Sequence, residues 1–147
     1  MNILVSACLL GVKCRYDGKG DLREMLETLI DRHNLVPFCP EVYGGLSTPR
    51  MPSERLGNRV IDHAGTDVTE NFVKGAEAAL HIARFYNCRY AILKDKSPSC
   101  GKGMIYDGTF NGRLVEGNGI TAELLMQNGI EVISASETGK IRELFME

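Results

Sequence analysis

No stretch of this chain approaches the ~20 consecutive apolar residues of a membrane-spanning helix, so no such helix is expected. Neither sign of charge dominates. Lys and Arg number 17 against 19 Asp and Glu, a formal net charge of −2, which argues against a generic nucleic-acid surface or a polybasic membrane anchor. The opening residues, MNILVSACLLG, lack the basic n-region of a secretory signal, so a cytoplasmic location is expected. Closely paired cysteines are also missing. The five stand at positions 8, 14, 39, 88 and 100 with no C-x2-C among them, whereas structural zinc sites usually show that spacing. His33, His63 and His81 have no ligand-like spacing either. An odd count of scattered cysteines in a reducing compartment speaks against a disulfide framework and raises the weight of metal or catalytic roles. There is no internal repeat and no low-complexity segment.

What is present is an alternation of short apolar runs and amphipathic stretches. The chain has 147 residues, 44% apolar and 24% charged, enough for one domain, 1–147, with a real core. Strands are predicted at 2–7, 35–38, 89–93 and 130–134. Helices are predicted at 21–33, where Leu22, Met25, Leu26, Leu29 and Ile30 share a face, and at 69–87, capped by Thr69, where Phe72, Val73, Ala76, Ala79, Leu80 and Ala83 do. Further helices are predicted over 119–128 and after Glu137. Residues 39–58 hold three of the five prolines and read as irregular. RVID (59–62) could pair with 66–69 in a small hairpin. The Asp-Gly and Asn-Gly of GMIYDGTFNGRL signal another hairpin-like excursion. Strands alternating with helices imply crossovers. The expected fold is an open, Rossmann-like or flavodoxin-like α/β three-layer sandwich with a mostly parallel sheet.

In such sheets ligands bind beyond the carboxyl ends of the strands. Cys8, Cys39 and Cys100 all fall there, each in a turn rich in Gly or Pro. Cys88 ends an apolar helix face and reads as a core residue. Cys14 lies between Lys13 and Arg15, charges that would lower its pKa and make it reactive. SPSCGKG lacks the first glycine and the Ser/Thr of a phosphate loop. Three rim thiolates suit an iron–sulfur cluster better. A cubane [4Fe-4S] cluster normally takes four, so three would leave one iron open to substrate as a Lewis acid. Lys13, Arg15, Lys94, Lys96 and Lys102 lie near these cysteines and could offset the cluster's negative charge.

The motifs SACLLGVKCRYDG, PFCPEVYGGLSTPRMPSE and LKDKSPSCG, together and in this order, resemble the family catalogued as domain of unknown function 523, which includes a thiouracil desulfidase. The resemblance spans residues 3–134. It implies a [4Fe-4S] cluster held by the cysteines of SACLLG, FCPE and SPSCG, that is Cys8, Cys39 and Cys100, with the fourth iron taking the substrate's sulfur. It implies a catalytic glutamate at Glu41 and a catalytic serine at Ser97 rather than Ser99. The reaction it implies removes sulfur from a thiolated pyrimidine and leaves the oxo base and hydrogen sulfide. The implied partner is thus a small molecule, with no nucleic acid and no membrane. Glu41, two residues from a cysteine, suits acid–base work, and Arg50 could bind a substrate oxygen or pair with Glu54. A non-catalytic iron–sulfur or sulfur carrier remains the alternative, followed by a nucleotide-binding module with structural cysteines.

Overall fold

The computed structural model describes residues 1–147. In chain order its elements are β1 (Asn2–Ser6), a 3-10 turn (Ala7–Leu10), α1 (Glu24–Glu27), β2 (Asn34–Phe38), α2 (Pro40–Tyr43), β3 (Ser53–Leu56), β4 (Arg59–Asp62), α3 (Thr69–Phe85), β5 (Tyr90–Leu93), β6 (Met104–Tyr106), β7 (Leu114–Glu116), α4 (Ile120–Gln127), β8 (Glu131–Ser134) and α5 (Thr138–Phe145). Four strands form a parallel sheet in the order β2-β1-β5-β8. Their side chains alternate between two cores, as the two-residue period of a strand requires. Ile3, Val5, Ile92 and Ile133 pack with Leu26, Leu29, Ile141 and Phe145. Leu4, Ala91, Leu93 and Val132 pack on the other face with Ala79, Leu80, Ala83, Ala122 and Leu125. Helices therefore cover both sides, the expected three layers. A sheet buried on both faces is why its strands read as unbroken apolar runs. No helix is long and apolar enough to cross a membrane.

Several expectations need correction. The helix foreseen at 21–33 is one turn, α1. Residues 21–23 are drawn out of helical register by the first loop, because the Asp21 and Arg23 amides donate to the Cys8 and Leu9 carbonyls. Leu22 and Ile30 are consequently exposed, and only Leu26 and Leu29 of that face are fully buried. The stretch 39–58 is not wholly irregular, since it contains α2 and β3. Strand β3 pairs antiparallel with β4 through a turn at Gly57 and Asn58, so RVID has its main partner before it in the chain, while 66–68 also pairs with it around Ala64 and Gly65, the Asp62 amide donating to the Thr66 carbonyl and the Val68 amide to the Val60 carbonyl (2.9 Å each). This later pairing includes one bridge, Ile61 to Asp67. Thr69 does not cap α3 but begins it; its hydroxyl accepts from the Val60 amide and donates to Asp67. The Asp-Gly/Asn-Gly excursion is a hairpin, β6 with β7, as its turn residues indicate.

Candidate functional site

Because the central strands are parallel, the ends of β1, β2 and β5 open on one edge. Cys8 sits in the 3-10 turn after β1, Cys39 directly follows β2, and Cys100 lies in the loop after β5. All three line one cleft of about 590 Å3, together with Cys14, Glu41, Arg50, Ser97 and Ser99. Cys88 lies away from it, buried between α3 and the sheet. The burial of the Cys88 thiol pushes its pKa up, as expected of an inert core cysteine.

Each loop is fixed by its own device. The Cys8 carbonyl accepts from the Gly11 and Asp21 amides, folding residues 8–21 into a closed lobe. Asp21 then accepts from Arg23 (2.8 Å) and from Lys94 Nζ (2.7 Å), which ties that lobe to the strand leading into SPSCG. Lys94 is therefore paired within the protein, and Lys102 is paired with Glu137 (3.1 Å). Two of the lysines expected to temper a cluster are thus engaged elsewhere. Helix α2 is pressed onto α3 where Gly75 faces the Pro40 carbonyl, leaving no room for a Cβ. The Asn71 side chain also donates to the Gly44 carbonyl (2.8 Å).

The SPSCG loop rests on the start of α4. The Ile120 amide donates to the Pro98 carbonyl (2.8 Å), the Thr121 and Ala122 amides to Ser99 (2.9 and 3.1 Å), and the Gly119 amide to Gly101 (2.7 Å). A helix start needs acceptors for its free N–H groups, and here the cysteine-bearing loop supplies them. Gly119 has no space for a Cβ against the Ser99 carbonyl carbon.

Both oxygens of Glu41 are held. Arg50 Nε donates to Oε1 (3.1 Å) and Ser99 Oγ to Oε2 (2.8 Å). Arg50 also donates to the Cys14 carbonyl (2.9 Å), the Ser47 carbonyl (3.2 Å) and Thr48 Oγ1 (3.2 Å). Of the two roles open to Arg50 in the sequence, pairing with Glu54 does not occur. Glu54 instead accepts from the Gly108 and Phe110 amides (3.0 and 3.1 Å). Ser97 Oγ accepts from the Cys100 amide (2.7 Å) and lies 3.3 Å from Ser99 Oγ. With the Ser99 proton donated to Glu41, Ser97 is the donor in that pair, so the hydroxyls form a chain running from the cleft to the carboxylate.

The thiols are electrostatically crowded. The contact of Cys39 with Cys14, followed by its burial, pushes the Cys39 thiol far above its ordinary pKa. Burial pushes Cys100 up to about 12, against the hydrogen bond of Ser6 that favours its thiolate. At Cys14 the contact with Cys39 favours the thiolate, but the Cys8 contact and burial outweigh it and the pKa is raised. The lowering expected from Lys13 and Arg15 does not occur: Lys13 is exposed to solvent and Arg15 is paired with Asp17 (3.2 Å).

Over residues 3–137 the sequence matches the family described as 2-thiouracil desulfurase. The chain belongs to the 2-thiouracil desulfurase family. It is 44% identical to an uncharacterized protein, YbbK, of Bacillus subtilis (strain 168), over 95% of this chain and 99% of that one. It also matches the solved structure of a [4Fe-4S]-dependent thiouracil desulfidase, TudS, with a TM-score of 0.91 and 44% identity, over 97% of this chain and 95% of the other. In this desulfurase-family chain all five cysteines are free. Cys8, Cys14, Cys39 and Cys100 line one cleft, and Cys14 touches both Cys8 and Cys39. That donor set fits a group that brings several metal atoms of its own. Three participants were not legible as such: Cys14 in the thiol set, Ser99 on Glu41, and Arg50 as the clamp of Glu41. The C-x5-C spacing of Cys8 and Cys14 was the one available signal for the first. The other two contacts join residues 58 and 9 positions apart and leave no local pattern.

Proposed function

We propose that this protein is a desulfidase that removes sulfur from a thiolated pyrimidine of the 2-thiouracil kind, using a [4Fe-4S] cluster held by Cys8, Cys39 and Cys100. The carrying observation is that three strand-end thiols share one cleft with a carboxylate clamped on both oxygens. When bound, the cluster supplies an iron that takes the sulfur, because iron binds sulfide well. The overall change consumes one water and converts C=S to C=O with release of hydrogen sulfide, so no outside oxidant or reductant is needed.

The protein's own groups manage the water and its protons. Glu41 accepts a proton from the attacking water and returns it to the departing sulfur. Arg50 and Ser99 keep the carboxylate aimed at the cleft. Ser97 is half-buried while Ser99 is 2% exposed. Ser97 is thus the hydroxyl that meets substrate or water, and Ser99 connects it to Glu41. Free thiols suit a reducing, cytoplasmic setting, and the single domain 1–147 carries the whole site.

The test is anaerobic reconstitution with iron and sulfide, followed by addition of 2-thiouracil. A brown protein that releases hydrogen sulfide and forms uracil is expected. Replacing Cys8, Cys39 or Cys100 by Ser should remove both iron and activity. Full iron content with no release from any thiolated base would favour a carrier and overturn the desulfidase.

A further inference from the structure

The cleft has a second wall that the chemistry above leaves unused. It is built by the two small hairpins. His63 follows β4, and Phe110 tips the loop between β6 and β7; both line the cleft, with Pro52 and Tyr106 beside them. The two rings pack at a centroid distance of 4.9 Å and a tilt of 33°. Phe110 has a left-handed backbone, φ 59°, a conformation that is an outlier for a bulky side chain. It is imposed by the protein: one carboxylate oxygen of Glu54, on β3, accepts from both the Gly108 and Phe110 amides. Asp107 fixes the same loop by accepting from the Thr109 amide (2.9 Å) and hydroxyl (2.6 Å).

Strained residues that persist against their local preference gather at functional sites. Three residues other than glycine have positive φ here: Asn87, Lys96 and Phe110. Asn87 follows the end of α3, where a left-handed Asn is ordinary. Lys96 and Phe110 both line the cleft. The loop thus spends backbone strain to present an aromatic ring to the same cavity that holds the thiols and Glu41.

We propose that Phe110, backed by His63, is the platform on which the planar ring of the substrate stacks, and so a substrate-positioning residue of the site. This rests on the desulfidase reading for the identity of the ring. A six-membered heteroaromatic whose sulfur points to the thiols exposes two flat faces, and stacking on an aromatic side chain fixes the orientation of a face without demanding a particular hydrogen-bond pattern. His63 is itself anchored, its amide donating to the Pro52 carbonyl (2.9 Å), so the pair presents a fixed surface.

Phe110→Gly separates this role from simple packing. Glycine accepts a positive φ without strain, so the variant loses the ring while its backbone is relieved. Cluster-loaded parent, Phe110→Gly and Phe110→Tyr are compared by anaerobic calorimetry with 2-thiouracil and with uracil, and by turnover of 2-thiouracil. Phe110→Gly is expected to keep its iron and its melting temperature, and to bind both bases roughly tenfold more weakly, with KM raised by a similar factor and kcat changed less. Phe110→Tyr, which returns the ring, is expected to restore binding. Parental affinity for both bases in Phe110→Gly overturns the platform alone. A parent that binds thiouracil through Phe110 but never releases sulfide overturns the desulfidase reading and supports the platform. A parent that binds neither base overturns both.

Discussion

Arg50 and Glu41 form a buried ion pair at 3.1 Å, their side chains 7% and 15% exposed. All three nitrogens of the guanidinium are engaged, on Glu41, Cys14, Ser47 and Thr48. One side chain thus ties the Glu41 carboxylate to the backbone of a cleft cysteine and to the 47–50 turn. A planar fork can do this, whereas an ammonium cannot reproduce its geometry. Removing the charge would strand Glu41, and breaking a buried pair from one side costs about 3–5 kcal/mol.

Arg50→Met is therefore expected to lower the melting temperature sharply. Arg50→Lys should recover most of that stability yet keep a reduced kcat, because charge returns and aim does not. Melting temperature, iron content and kcat measured on both variants check this. A Lys variant turning over at the parental rate would leave Arg50 with a purely structural task.

The two serines of SPSCG should separate by what each contributes. Ser99→Ala removes one of the two groups that hold Glu41 and breaks the hydroxyl chain in its middle, so turnover should fall while the brown colour stays. Ser97→Ala removes the cleft-facing hydroxyl and also the acceptor of the Cys100 amide (2.7 Å). It should lower rate and, in addition, cost about 1 kcal/mol of stability through the unpaired amide. Rates, visible spectra and urea midpoints of the two variants decide it. A Ser97→Ala protein with parental rate would remove that serine from the chemistry.

The central sheet was legible because its inner strands, β1 and β5, are buried on both faces, and continuous apolar runs such as ILVS and YAIL have few other readings. The placing of three cysteines at one edge followed from the parallel topology alone. What failed was local. The apolar arc of 21–33 matched a helix, but Asp21 and Arg23 are committed to the first loop, a long-range demand that periodicity does not carry. Pro49 and Pro52 made 39–58 look irregular, although Pro52 stands just before a strand and not in it. Arg50 and Ser99 owe their roles to α2, the SPSCG loop and the 47–50 turn meeting in space, and nothing in the order of residues announces that meeting.

Gly75 gives a test of how tightly the site depends on helix packing. Within α3 a Gly→Ala change would ordinarily stabilise by about 1 kcal/mol. Here the added Cβ would clash with the Pro40 carbonyl, beside Cys39 and Glu41. The expected sign is reversed, with a net loss of about 1–3 kcal/mol from overpacking and weaker iron retention as α2 is pushed outward. Thermal melting and iron release to a chelator measure the two effects. A Gly75→Ala protein more stable than the parent would show that α2 is free to shift.

Asp21 should make the Cys8 lobe sensitive to acid. The hydrogen bonds of Arg23 hold its carboxyl well below the usual carboxylate range; burial opposes them, and Lys94 adds to the lowering. A carboxylate depressed in the folded state contributes stability that is complete above its unfolded pKa of ~3.9 and is lost as pH falls through the lower folded value. With the side chain 23% exposed, solvent screening reduces that contribution to about 1–2 kcal/mol. Asp21→Asn is thus expected to be less stable than the parent at pH 7 by this amount. The gap should narrow steadily as pH falls below about 4, because the parent then loses what the variant never had. Urea unfolding of the reduced, cluster-free protein at pH 7 and at pH 3 compares a point above that window with a point inside it. A difference that stays constant between the two pH values would assign the effect of the substitution to packing and not to the charge of Asp21.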